Sequence, residues 1–210
     1  MSRGPGAGQS GPRTLVLATG NRGKVRELAE LLAPLALELR SLADFPDVAL
    51  PPEGDDYAEN AAAKAAAAAQ ATGLAALGDD SGIEVAALGA APGPRSARFG
   101  GPGLDDAGRS AHLLAALART GGGDRSARFV CFAALALPGA LVTLASGECR
   151  GRILAEPRGA AGFGYDPVFQ PDGYDVSMAE LPPELKNRIS HRGRAVAALA
   201  PALERALRAR

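Results

Sequence analysis

Residues 14–35 read TLVLATGNRGKVRELAELLAPL, and the change of hydrophobic period inside this stretch decides the fold class. The run TLVLAT (14–19) is apolar, short and stopped by the turn signal Gly20-Asn21, the pattern of a buried strand. Directly after it, Val25, Leu28, Leu31, Leu32 and Leu35 recur at helical spacing, with Pro34 near the end of the run. A strand that feeds through a Gly-rich turn into a helix is the opening unit of an α/β fold.

Working outward, residues 41–56 are rich in Pro, Asp and Gly and are expected to form a loop. YAENAAAKAAAAAQAT (57–72) carries the strongest helix signal in the chain, because Ala has the highest helix propensity, and Gly73 is its natural stop. The apolar pieces LAALG and IEVAAL flank GDDSG (78–82), which reads as an acidic turn between two strands. Residues 89–104 are irregular, and 105–119 form a helix with an acidic first turn. ARFVCFAALAL and ALVTLASGECRGRI read as an antiparallel pair joined at Pro138-Gly139. A loop carrying GFGYDPVF (162–169) follows, and the chain from 183 to 208 is helical, interrupted at SHRG. Helices and strands alternate before the hairpin, so the expected fold is a mixed α/β sheet flanked by helices. We expect one domain over 13–210, preceded by a flexible tail over 1–12.

Composition bounds the function. The 210 residues carry 23 basic and 23 acidic side chains, and this zero balance argues against bulk nucleic-acid binding, which needs a basic excess. No apolar run approaches the roughly 18 residues of a membrane helix. The opening MSRGPGAGQSGP has no hydrophobic segment of the secretory kind, so a cytoplasmic protein is expected. Two cysteines, Cys131 and Cys149, exclude a disulfide framework or a cysteine zinc site and read as small buried hydrophobes.

Four segments carry candidate chemistry. In ATGNRGK (18–24) a strand–turn–helix junction points free backbone N–H groups at one spot, and Lys24 adds a point charge there. The glycine spacing and Val25 exclude a Walker A loop, so the turn reads equally as a phosphate cradle and as an ordinary βα turn. Asp79 and Asp80 are adjacent like charges that repel unless a cation sits between them, and a hard divalent ion would resolve this. Glu59 could supply a further ligand; a polar turn and a helix-start acid are the plainer readings of these three acids. GFGYDP pairs aromatics with an acid, suited to stacking on a flat ring. KNRISHR gathers Lys186, Arg188, His191 and Arg192, in isolation a solvated basic face. His112 lies in a helical pattern and reads as surface or packing.

Taken in order, LVLATGNRGKVREL, YAENAAAKA, GDDSGIEV, APGPRSARF, GFGYDPVF and KNRISHRGRA resemble the inosine triphosphate pyrophosphatase family over nearly everything from 14 to about 205. The resemblance implies two lobes with an active-site cleft between them, commonly in a homodimer. It implies that Thr19, Gly20, Asn21, Arg22, Gly23 and Lys24 hold a triphosphate, with Lys24 the main contact. Glu59 and Asp80 would bind Mg²⁺, with Asp79 assisting, and Asp80 would accept the proton of water. Ser81 would contact substrate, and Phe163, Gly164, Tyr165, Asp166, Lys186, His191 and Arg192 match base-binding positions. Departures from the pattern are small: Gly78 where many relatives have Ala, Glu53-Gly54-Asp55-Asp56-Tyr57 before the Glu-Asn pair, and Phe99 for Tyr.

The implied reaction is attack of water at the α-phosphorus of a non-standard purine nucleoside triphosphate (ITP, dITP or XTP), giving monophosphate and pyrophosphate. Donors from Lys186, Arg192 and the backbone near His191 would favour a 6-keto purine over adenine, whose 6-amino group leaves them unpaired. Guanine keeps the keto group and would be turned away by shape or by want of an acceptor for its 2-amino group. Two other readings compete: a Maf-type dTTP/UTP pyrophosphatase, opposed by GFGYDP and SHRG, and a non-catalytic nucleotide sensor, opposed by the intact acids.

Overall fold

A computed structural model describes residues 13–121 and 123–208 of the chain. The tail expected over 1–12 lies outside the described residues. Six strands form one mixed sheet in the order β2-β1-β3-β4-β5-β6. These are β1 (Thr14–Ala18), β2 (Glu38–Ser41), β3 (Ala75–Val85), β4 (Ser126–Ala136), β5 (Thr143–Ile153) and β6 (Phe169–Pro171). β1 pairs in parallel with β2 and β3, whereas β3, β4, β5 and β6 are joined antiparallel. The helices are α1 (Arg22–Leu32), α2 (Tyr57–Thr72), α3 (Asp106–Arg119), α4 (Pro183–Ile189) and α5 (His191–Arg208).

The opening unit forms as its periodicity requires. Asn21 caps α1 by accepting the Lys24 amide at 3.1 Å, and Asp56 and Asp105 cap α2 and α3 in the same way. Gly73 ends α2 in the left-handed conformation at φ 68°, which glycine adopts without a Cβ penalty. The hairpin joined at Pro138-Gly139 is present as β4 and β5.

Two expectations need correction. GDDSG is not a turn between strands. It is the middle of β3, which runs unbroken from Ala75 to Val85. A polar stretch persists in a central strand here because each acid meets cations on its own face, as described below. The expected loop at 41–56 begins one residue into β2, and the short β6 follows the GFGYDPVF loop; both are too short to carry a period.

Three apolar clusters surround the sheet. On one face of the β1–β3 end, Leu15, Leu17, Leu77, Cys131 and Leu135 pack against Leu28 and Leu32 of α1 and Leu199 and Leu203 of α5. On the opposite face, Ala61, Ala65, Ala68 and Ala69 of α2 lie flat on Val16, Ala18, Ala76 and Ala134. The approach is close enough that a Cβ at Gly78 would come within 2.2 Å of the Ala61 carbonyl oxygen. Towards the other end of β3 and β4, Ile83, Val85 and Phe129 pack with Leu113 and Leu117 of α3 and with Tyr165, Phe169 and Met178. A polar seam separates the first cluster from the third, and there the two lobes meet.

Candidate active site

The seam follows from strand geometry. Successive side chains of a strand point to opposite faces, so Asp79 and Asp80 are divided by the sheet itself. Asp79 and Ser81 face α1 and α5; Asp80 faces α2.

On the first face, Asp79 is 1% exposed and surrounded by donors. Lys24 Nζ lies 2.5 Å from Oδ1, and Arg192 Nε donates to Oδ2 at 2.8 Å. The Ser81 hydroxyl donates to Oδ1 at 3.2 Å and the Cys131 thiol to Oδ2 at 3.1 Å. Burial opposes the charge, but Arg192 and Lys24 overcome it and hold the Asp79 carboxyl well below the usual carboxylate range. The same burial, with the Asp79 charge beside it, pushes the Cys131 thiol up, so it is an inert donor. The network extends through Arg192 to Glu27, and Glu27 pairs with Lys186 at 2.5 Å. Lys186 in turn holds Asp166 at 2.5 Å, and Asp166 accepts the Phe163 amide at 2.9 Å. This chain of charges ties β3, α1, α4, α5 and the 162–167 loop together.

On the second face, Lys64 Nζ donates to Asp80 Oδ1 at 2.8 Å and to Glu53 Oε1 at 2.9 Å. The Asn60 amide donates to Asp80 Oδ2 at 2.9 Å and to the Gly54 carbonyl at 3.1 Å. Asn60 and Lys64 are one turn apart, so the α2 face that packs Ala61 and Ala65 also delivers both donors to Asp80. Burial raises the Asp80 carboxyl above its ordinary value, with Lys64 pulling the other way. Lys24 also acts electrostatically on Asp80 and Glu53, so its charge is felt on both sides of the strand.

A cleft of about 240 Å³ opens beside β3, with Asn21 and Lys24, Ser81 to Ile83, Phe163 to Asp166, His191 and Arg192 among its walls. Ser96, Ala97, Asp106, Arg109 and Phe129 complete it. His191 stacks on Phe129 with ring centroids 4.6 Å apart, and burial together with Arg192 holds its imidazole neutral by driving its pKa well below the ordinary value. Its Nδ1 is buried without a hydrogen-bond partner among the described residues. The Phe163 ring lies against Gly23, where a Cβ would come within 2.6 Å of it, and 5.5 Å from both Lys186 Nζ and Arg192 Cζ. Tyr165 donates from its hydroxyl to the Ser96 carbonyl at 2.8 Å, and Gly164 donates its amide to Asp106 at 2.7 Å.

The expected site residues therefore divide. Asn21, Lys24, Ser81, Phe163, Gly164, Tyr165, Asp166, His191 and Arg192 gather on the cleft. Thr19 is buried beneath the turn, where its hydroxyl accepts the Asn21 amide, and Gly20 and Arg22 lie exposed at the turn. Lys186 sits behind Phe163, held by Glu27 and Asp166, on a separate cavity that also touches Arg26 and Glu30. KNRISHR is a solvated face only at Arg188, which is exposed; Lys186, His191 and Arg192 are 8%, 7% and 2% exposed. His112 packs edge-on against Phe99, as expected of a packing residue.

Two metal assignments change. Asp79 does not share a site with Asp80, because their side chains leave β3 on opposite faces, Asp79 towards Lys24 and Arg192 and Asp80 towards Asn60 and Lys64. Glu59 is exposed in the first turn of α2, and the acid that reaches Lys64 beside Asp80 is Glu53. Among the described residues no three His, Cys, Asp or Glu side chains gather to hold a metal, so a cation here would complete its shell with water or substrate oxygens. Sequence reading missed Glu27, Glu53, Asn60, Lys64 and Arg109. For Asn60 and Lys64 a signal existed: they are polar side chains one turn apart on an otherwise alanine face.

The chain is similar to known proteins over most of its length. A sequence profile of the Ham1 family matches residues 15–202. A dITP/XTP pyrophosphatase of Deinococcus radiodurans is 52% identical over 188 residues, covering 89% of this chain and 91% of its own. A dITP/XTP pyrophosphatase of Desulforamulus reducens is 49% identical over 183 residues, covering 87% and 91%. Among solved structures, a HAM1 protein from Coxiella burnetii superposes with a TM-score of 0.82 at 42% identity, covering 91% of this chain and 98% of its own. A nucleoside-triphosphatase / dITP/XTP pyrophosphatase from Mycobacterium abscessus gives 0.70 at 42% identity, covering 90% and 99%.

Proposed function

The chain belongs to the Ham1 family, and from that premise we propose that its cleft binds a deaminated purine nucleoside triphosphate and cuts it between the α- and β-phosphates. The protein is a nucleoside triphosphate pyrophosphatase of the dITP/XTP type. It hydrolyses ITP, dITP and XTP to monophosphate and pyrophosphate, and so clears deaminated purines from the nucleotide pool. The observation that carries the assignment of the site is convergence: Lys24 on Asp79 and Phe163 on its loop reach one cleft from opposite lobes.

Each residue's part follows from its surroundings. Lys24, with the free amides of the β1–α1 turn, neutralises triphosphate oxygens where charge develops on the leaving pyrophosphate. Asp80 accepts the proton of the attacking water as the water oxygen bonds to the α-phosphorus and the α–β anhydride bond breaks. Its raised pKa makes it a stronger base than an ordinary carboxylate. Asp79 takes no proton; it anchors Lys24 and Arg192. Arg192, nearly fully buried and committed to Glu27, Asp79 and Ser81, positions the floor of the cleft, with the Phe163 ring over its guanidinium. Asp80 and Glu53 are the carboxylates that would hold Mg²⁺ together with phosphate oxygens, and their oxygen-only donor set suits that hard ion. When bound, Mg²⁺ would supply further neutralisation of phosphate charge. Glu59 does not fit this set.

The test is pyrophosphate release from ITP, dITP, XTP, ATP, GTP and dTTP, with and without Mg²⁺. Magnesium-dependent release confined to the deaminated purines is expected; release mainly from dTTP would move the protein to the Maf-type reading. We also propose a cytoplasmic homodimer, checked by light scattering on the purified chain. Among the described residues no helix is long and apolar enough to cross a membrane.

A further inference from the structure

Three cations line the cleft: Lys24, Arg192 and Arg109. Lys24 and Arg192 are both bonded to Asp79. Arg109 is different. Its Nε is buried with no hydrogen-bond partner among the described residues, and its carboxylate neighbour, Asp106, stands 3.8 Å away from Nη1. Asp106 is itself engaged by the Gly164 amide at 2.7 Å. A guanidinium has donors only, so Arg109 leaves donor capacity unspent inside the cleft.

Its place along the cleft says what it meets. Lys24 stands at Asp79, whereas Arg109 is one helical turn before Leu113, which packs with Ile83, Phe129 and Tyr165. From Asp79 to Ile83 is four residues of β3, about 13 Å of strand. Arg109 is thus at the far end from the phosphate turn, on the side of the stacking loop.

We infer that Arg109 is a specificity-determining residue, donating to the 2-oxo group of a purine base and ranking XTP above ITP and ITP above GTP. This rests on the pyrophosphatase reading above. Xanthine offers an acceptor at C2, hypoxanthine offers hydrogen, and guanine offers an amino donor that would face the guanidinium donors. The open question of how guanine is refused then has a physical answer. Donor meets donor, and an unpaired polar group in a closed site is strongly disfavoured.

The experiment compares kcat/KM for XTP, ITP and GTP in the wild type and in Arg109→Ala. The XTP-to-ITP ratio is expected to fall about ten- to a hundredfold, as for loss of a charge-assisted hydrogen bond, and GTP is expected to gain on ITP. Arg109→Lys should restore part of the XTP preference. A ratio unchanged within about twofold overturns the inference, whatever happens to the absolute rates, because a merely structural role lowers all substrates together. Calorimetric binding of XMP and IMP to the wild-type chain reads the same contact should a variant not fold: tighter XMP supports it, and equal affinities overturn it. Failure of the pyrophosphatase reading has a separate signature, no pyrophosphate from any of the three substrates in the wild type.

Discussion

Asp79 and Asp80 are neighbours in sequence and occupy two different electrostatic regions. The α1/α5 side of β3 gives Asp79 two cations, a hydroxyl and a thiol, and its carboxyl is driven well below the ordinary range. The α2 side gives Asp80 one ammonium and one amide, too little to offset burial, and its carboxyl is raised. One face makes a permanent anion that holds the lobes together. The other makes a base able to take a proton. Two acids therefore acquire two roles from the alternation of a strand, without any difference in residue type.

The sharpest way to break this comparison is Asp80→Asn, which keeps the shape but turns one of the two accepting oxygens into a donor and removes the group proposed as the base. Turnover should fall about 10²- to 10⁴-fold in the pyrophosphate assay, with an unchanged circular dichroism spectrum. A variant keeping more than a tenth of the wild-type rate would remove Asp80 from that role. Next in size, Asp79→Asn leaves Lys24 and Arg192 without their shared counter-charge and should cost about 3–5 kcal/mol in urea unfolding at neutral pH. Because the folded pKa of Asp79 is depressed, its stabilisation is present above the ordinary carboxylate pKa and is lost as pH falls through the folded value. If Asp79→Asn proved no less stable than Asp80→Asn, the division between anchor and base would be wrong.

Smaller effects sharpen the picture. Gly78→Ala drives a methyl into the Ala61 carbonyl and should cost about 1–3 kcal/mol, because backbone cannot move aside as a side-chain tip does. An unchanged thermal midpoint would show that α2 yields easily. Lys64→Met removes the charge that lowers the Asp80 pKa against burial. Since the carboxylate form is the base, the acid limb of the kcat/KM profile should move to higher pH. A limb that stays put or moves lower would separate Asp80 from that limb.

Much of the frame was legible in the sequence. The 3.6-residue period of α1, the alanine run of α2 with Gly73 after it, and the β4–β5 pair with its Pro-Gly turn depend on local interactions, which a local pattern carries. The ordered motifs marked Lys24 and the 162–167 loop, which do line one cleft, whereas Asp80 is turned from that cleft towards α2. Local pattern failed at GDDSG. Two adjacent acids ordinarily mark a turn, and their survival inside a central strand depends on Lys24, Lys64 and Arg192, which lie 55, 16 and 113 residues away from the acid they hold.

By itself, then, the sequence determined the α/β alternation, the helix limits set by caps and glycines, and the identity of the groups that carry chemistry. Tertiary structure alone decided which partner each group received. It placed Asp79 and Asp80 on opposite faces, turned KNRISHR inward, put Glu53 in the place expected of Glu59, and left Arg109 with unspent donors in the cleft. The reason is that a propensity acts over a few residues, whereas a buried charge is set by whatever the fold packs against it, and that can come from anywhere in the chain.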